Sequence, residues 1–434
     1  LTFGTADGGS IACGNFTSSG TVNNTFTNTI AASGNVSVSG SFGTPAKSTI
    51  TMSGSGKTVD TAVQIGSLTL ITGAIGVTVS GHGLSLLGNL TVPSGASLTD
   101  ATNNKGMTID GDANITSTGS VASGSTSCSV AGITSGTGTW SGGLGDLSFT
   151  GNFTLTTLTA SSGTTSFGGG TITFSTLTAT SGTIALVGTA QTLTTTASSQ
   201  DFNNLTLASG AGTVTVIGTV NLAANLEVQS GRTLALTTHA LSVSGTTNAV
   251  AGNAGTITST SGTQTFGGSF TVGSLTASSV STSFAGSSVV LHALAPDGGT
   301  AYFTGATSLT SSGQAFASVH ISSGTLTPQD ALSVNANFAI AGGTYANNGK
   351  TLTFGSASAG NLSDASSTKQ DLGAVTVSGG AKTMTSDLAM TSLSVGSGSL
   401  ATGTNKLTVS NGVVISGGSL SHGASTLSCA SMTV

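Results

Sequence analysis

Apolar and polar residues alternate in short runs along this chain, and the runs recur at a fixed interval. Towards the C-terminal end the apolar pairs Leu388/Met390, Leu393/Val395, Leu407/Val409, Val413/Ile415, Leu427/Cys429 and Met432/Val434 each span two residues, with single apolar positions at Leu400 and Leu420. Leu388, Leu407 and Leu427 are 19 and 20 residues apart, Leu393, Val413 and Met432 are 20 and 19 apart, and Leu400 and Leu420 are 20 apart. Strand side chains point alternately to opposite faces, so in a Leu-Thr-Val run the Leu and Val face one way and the Thr the other. Such a strand buries too little alone; stacking a second coil on it covers the apolar face and pairs the backbone. The pattern predicts an all-β fold, a parallel β-helix (β-solenoid) of about 20 residues and three short strands per coil, with Gly, Ser and Asn at the corners. A helical reading fails because the apolar positions alternate, and because the 66 glycines would each destabilise a helix by roughly 1 kcal/mol. Tandem β-sandwiches would need longer strands and wider-spaced turn signals.

The rhythm is legible over most of the chain, so a single continuous solenoid over 1–434 is expected. Gly14-Asn-Phe-Thr17 and Gly34-Asn-Val-Ser37 lie 20 apart, and Leu205/Leu226, Val214/Leu234 and Val220/Leu241 lie 21, 20 and 21 apart. Two stretches are less regular and predict corners or loops: 39–60, with Pro45, Lys47 and Lys57, and 285–303, around Pro296-Asp-Gly-Gly299. Longer phrases also repeat. Ser162-Gly-Thr-Thr-Ser-Phe-Gly-Gly169 is echoed from Ser261, and a glutamine-led phrase starts at Gln200, Gln314 and Gln370. Duplication of multi-coil blocks explains them, and duplication builds length more readily than one unique cleft. At 20 residues per coil the chain makes about 21 coils, a rod on the order of 100 Å long.

Composition narrows the function. Hydrophobic residues are 36% of the 434 and charged residues 5%, against roughly 25% charged in a typical soluble domain. The net charge of −5 offers no basic patch for nucleic acid and no polybasic run for an anionic membrane. No uninterrupted apolar run is long enough to span a membrane. The chain opens at Leu1 without Met or a leader, which reads as a processed chain or part of a longer one. Cys13, Cys128 and Cys429 each lie two residues from an apolar position and form no disulfide framework, so small core residues are expected. A second reading has Cys13 and Cys429 linking stacked subunits.

No catalytic, cofactor-binding or metal site is expected, and the chain is read as non-enzymatic with no cofactor. Acidic residues and lysines are scattered, and His82, His239, His292, His320 and His422 show no metal-ligand spacing. Asp110-Gly-Asp112-Ala-Asn114 opens like a calcium loop, but Ile115 and Val121 stand where that loop needs Gly and Glu. Sequons occur at Asn15, Asn23, Asn35, Asn89, Asn114, Asn152, Asn204 and Asn361. They read either as glycosylation sites or as corner asparagines bonded to their own backbone or to a stacked neighbour. Thr-x-Thr phrases such as Thr171-Ile-Thr173, Thr176-Leu-Thr178 and Thr192-Leu-Thr194 suit an exposed strand face. Flat arrays of them can order water, which would suit ice binding, but the phrases are not expected to persist at one coil position over many coils.

The Gly-Asn-Leu-Thr-Val and Gly-Ser-Leu-Thr-Leu phrasing resembles the β-helical passenger domains of autotransporters and filamentous-haemagglutinin-type secreted adhesins. The resemblance implies a right-handed β-helix exported to the extracellular cell surface. Solenoid ends expose unpaired strands unless capped, and Leu1-Thr-Phe3 and Met432-Thr-Val434 read as ordinary strands. The expectation is a structural subunit of an extracellular filament or surface layer. It would be a homopolymer stacked head to tail through Leu1, Phe3, Cys13, Cys429, Met432 and Val434, with surface glycans or the cell envelope as further partners. The alternative is the stalk of a cell-surface adhesin.

Overall fold

The computed structural model describes all residues except 4, 5, 74, 209, 211, 249–254 and 297. Its contacts divide the chain into two units, Leu1–Asn221 and Leu222–Val434.

In Leu1–Asn221 equivalent strands of successive coils pair in parallel in three rows, the third of which is held only by isolated bridges in the first coils. The first row includes Gly9–Cys13, Asn28–Ala32, Ser48–Met52, Ser67–Leu70, Leu90–Val92 and Ala113–Ile115. The second includes Phe16–Ser18, Val36–Val38, Lys57–Thr61, Ile75–Val79, Ala96–Thr99, Ser120–Ala122 and Thr139–Ser141. The third runs from Leu84–Leu86 through Met107–Ile109, Cys128–Val130, Leu147–Phe149, Thr164–Phe167 and Thr183–Leu186 to Asn204–Leu207. Phe153–Thr159 and Thr171–Thr178 are long enough to serve the first and second rows in one strand. The region 39–60 holds a short 3-10 turn, Pro45–Lys47, followed by Ser48–Met52 and Lys57–Thr61.

Leu222–Val434 is built on the same plan. Leu388 pairs with Leu407 and Leu407 with Leu427; Leu393 pairs with Val413 and Val413 with Met432; Leu400 pairs with Leu420. The interval in the sequence is therefore the register of the sheet. Within 285–303, Ser288–Leu291, Leu294–Pro296 and Thr300–Phe303 pair in parallel with strands of the preceding coil; Asp297 lies outside the described residues. Coil length varies: in-register partners are 18 residues apart at Leu147 and Thr165 and 24 apart at Phe338 and Leu362. Corners absorb the difference while strand parity is kept.

The core follows from that parity. Val77, Leu98, Val121, Trp140, Leu158 and Leu177 stand in one column, all buried. Aromatic rings repeat at the coil interval: Phe149 stacks on Phe167 at 5.6 Å, with Phe153 meeting their edges at 4.7 and 5.1 Å. In the second unit Phe266, Phe284 and Phe303 stack at 5.7 and 5.5 Å. Each buried Val, Leu or Phe contributes roughly 1.5–3 kcal/mol, a sum opposed by the entropy of ordering the chain. One corner is closed by a glycine column. Gly88 donates to the carbonyl of Gly66, Gly111 to that of Gly88 and Gly132 to that of Gly111, at 2.9–3.2 Å. A Cβ on Gly151 would sit 2.3 Å from the Gly132 carbonyl oxygen, so no larger residue fits without moving backbone.

Candidate functional surface

Two features stand out once the coils are in place: a polar ladder along the corners, and an open edge at the coil formed by Ser419–His422 and Leu427–Thr433.

The ladder begins where each Gly-Asn corner enters a strand. Asn15 Oδ1 accepts from the backbone N–H of Asn35 at 2.8 Å, and Asn35 Oδ1 from that of Thr58 at 3.1 Å. Asn89 Oδ1 accepts from the N–H of Asp112, Asp112 Oδ1 from that of Ile133, and Asn152 Oδ1 from that of Thr171. In the second unit Asn225 serves Thr246 and Asn337 serves Asn361 in the same way. The side chain thus supplies the acceptor that the turning backbone lacks. Of the sequon asparagines, Asn15, Asn23, Asn35, Asn89, Asn114, Asn152 and Asn361 are exposed. Asn204 is half-buried and its amide nitrogen donates to the Gly182 carbonyl at 3.1 Å. The repeated glutamine phrase has a matching cause. Gln200, Gln314 and Gln370 each accept, through Oε1, from a backbone N–H of the preceding coil, at Leu177, Leu294 and Tyr345.

At the open edge, Leu427–Thr433 pairs on one side with Leu407–Ile415, and no described strand pairs its other side. Ile415, Leu420, Leu427, Met432 and Val434 line a concavity of about 470 Å³. Met432 is 46% and Val434 90% exposed, whereas Val413, which pairs with Met432 one coil below, is buried and Ile415 is half-buried. Cys429 is half-buried. At the other edge, Leu1 is exposed and its carbonyl accepts from Asn23 N–H at 2.7 Å. Phe3 is buried and Cys13 half-buried in register with Ala32. Cys128 is buried, and burial pushes its thiol up to about 12. All three cysteines are free thiols.

His82 Nδ1 lies 3.3 Å from Asp60 Oδ1, but the same carboxylate oxygen also accepts the His82 backbone N–H at 2.7 Å, which ties down a turn. Asp110 accepts from Gln64 at 2.6 Å, while Asp112 belongs to the ladder. Among the described residues no group of three or more His, Cys, Asp or Glu is placed to hold a metal ion. Among the described residues no helix is long and apolar enough to cross a membrane.

Sequence reasoning missed the buried charges Asp100, Arg232, Asp364 and Lys382, each at most 1% exposed. Asp100 accepts from the N–H groups of Lys105 and Gly106 at 2.7 and 2.8 Å, and Asp364 from those of Ser366 and Gln370 at 2.8 and 2.7 Å. Lys382 Nζ donates to the carbonyls of Asn335, at 2.7 Å, and Ser358, and lies 5.9 Å from the centre of the Phe354 ring. Burial lowers its pKa. The signal was present: Lys382 is two residues before Met384, Asp364 two after Leu362 and Arg232 two before Leu234, all on the inward parity.

Fold and surface together define a β-solenoid repeat protein. No family model, no curated protein and no solved structure matches the chain.

Proposed function

We propose that the chain is a non-enzymatic structural subunit of an extracellular filament or cell-surface layer, extended by end-to-end stacking of its coil edges. The observation that carries this reading is the edge at 419–434. No described strand pairs the second side of Leu427–Thr433, and Met432 and Val434 are exposed where Val413, one coil below, is buried. An edge strand of this kind is a template for another β-strand, and a head-to-tail contact that does not close gives an open filament. Surface glycans and the cell envelope are the proposed surroundings.

The adhesin-stalk reading is favoured by a different fact. Leu427, Cys429 and Met432 repeat the inward pattern of Leu407, Val409 and Val413 in register, so this coil is equally suited to carry further coils of one polypeptide. Sedimentation of the purified chain over a range of concentrations separates the two. Mass growing with concentration, and abolished by Met432→Lys with Val434→Lys while the circular dichroism is unchanged, supports the filament. A monomer at every concentration overturns it in favour of the stalk.

A further inference from the structure

The second strand row of Leu1–Asn221 carries a feature that the structural role does not need. Five successive coils place the triplets Ser97-Leu98-Thr99, Ser120-Val121-Ala122, Thr139-Trp140-Ser141, Thr157-Leu158-Thr159 and Thr176-Leu177-Thr178 one above another, without a register shift. The central residue of each is buried and the two flanking residues face outward. Nine of these ten outward positions carry a hydroxyl, six of them on threonine, and none is charged. Thr171-Ile172-Thr173 likewise pairs with Thr192-Leu193-Thr194 in the first row. Strict Thr-x-Thr phrases stack over only two coils in each row, as the sequence leads one to expect, but hydroxyl-bearing triplets extend the second row to five. Coil lengths of 18 to 23 residues in this unit hid the alignment from a fixed interval of 20.

We propose that this face binds ice. Coils repeat about every 4.8 Å and alternate residues along a strand about every 6.7 Å, so the outward side chains form a two-dimensional lattice. Threonine is β-branched and stiff about χ1, which fixes its methyl and hydroxyl at each lattice point. The floor is rigid: Trp140, 0% exposed, meets Phe149 edge-on at 5.1 Å and donates through Nε1–H to Ser123 Oγ at 3.0 Å. The hydroxyls of Thr139, Ser141, Thr157, Thr159, Thr176 and Thr178 have no protein partner among the described residues, which leaves them available to water. Small ligands are taken in concave pockets, whereas a flat lattice of many weak contacts suits a solid with matching repeats. The oxygens of an ice plane repeat in two dimensions at close to these spacings. A crystalline polysaccharide is also flat and periodic, but its sugar rings call for exposed aromatic faces, and the one aromatic ring of this array points inward.

The test is thermal hysteresis and ice-recrystallisation inhibition by the full chain, with Thr157→Lys at the centre of the array. Ser148→Lys, on the outward side of the third row, is the control. The native chain and Ser148→Lys are expected to shape ice and hold a gap between melting and freezing. Thr157→Lys is expected to fall to the buffer level with its thermal melt unchanged. A native chain without hysteresis, equal activity of the two variants, or retention on cellulose or chitin without affinity for ice each overturns the proposal.

Discussion

Asn152 shows how one side chain carries architecture. Its Oδ1 is the acceptor for Thr171 N–H at 3.0 Å, and what the site requires is that oxygen rather than the amide nitrogen. Asp112 already fills the equivalent place two coils below. Asn152→Asp should therefore melt close to the native chain. Asn152→Ala should lose about 0.5–1.5 kcal/mol, the net worth of one hydrogen bond. Chemical denaturation of the two variants checks this, and equal losses would show that the ladder is decorative. Asn152→Asp also removes the sequon, so intact mass before and after the change reports any attached sugar independently of stability. Lys382 gives a pH prediction. Burial holds its ammonium pKa below 10.5, so between that lowered value and 10.5 the unfolded chain binds more protons than the folded one. Stability then rises with pH across this window and is flat below it. Lys382→Met should remove that slope. Urea melts of both forms at neutral and alkaline pH test it, and parallel pH profiles would contradict it.

At the scale of strand and corner, much of the fold was legible because strand parity survives changes in coil length. The pairs at Leu388/Met390, Leu407/Val409 and Leu427/Cys429 were read from the sequence and stand in register. What was not legible is which residues share a column, because corners insert or delete residues between strands. That is why the stacked hydroxyl-bearing triplets at 97–178 were missed, and why Lys382 and Asp364 passed for scattered charge. The region 39–60 reads as irregular from Pro45, Lys47 and Lys57, yet only the short turn Pro45–Lys47 departs from strands and corners of the ordinary kind. The glycine corner was legible as composition but not as a steric requirement. Its column predicts that Gly151→Ala, which brings a Cβ to 2.3 Å from a carbonyl oxygen, costs about 1–3 kcal/mol through forced backbone shifts. Gly14→Ala, where a Cβ meets nothing within 4 Å, should cost much less. A thermal melt of each variant decides between a steric column and mere corner preference.

For the molecule as a whole, its coils are repeated rather than unique, and the features proposed to carry function are correspondingly collective: a lattice and an edge. The edge is where the account is most exposed, because Met432, Val434 and the unpaired side of Leu427–Thr433 are read as the surface that the next coil of a neighbouring copy covers. Electron microscopy of the native, untagged chain tests that directly. The account predicts uniform unbranched filaments whose strand repeat of about 4.8 Å runs along the filament axis. Dispersed particles of single-chain mass, or filaments with that repeat lying across the axis, would contradict it.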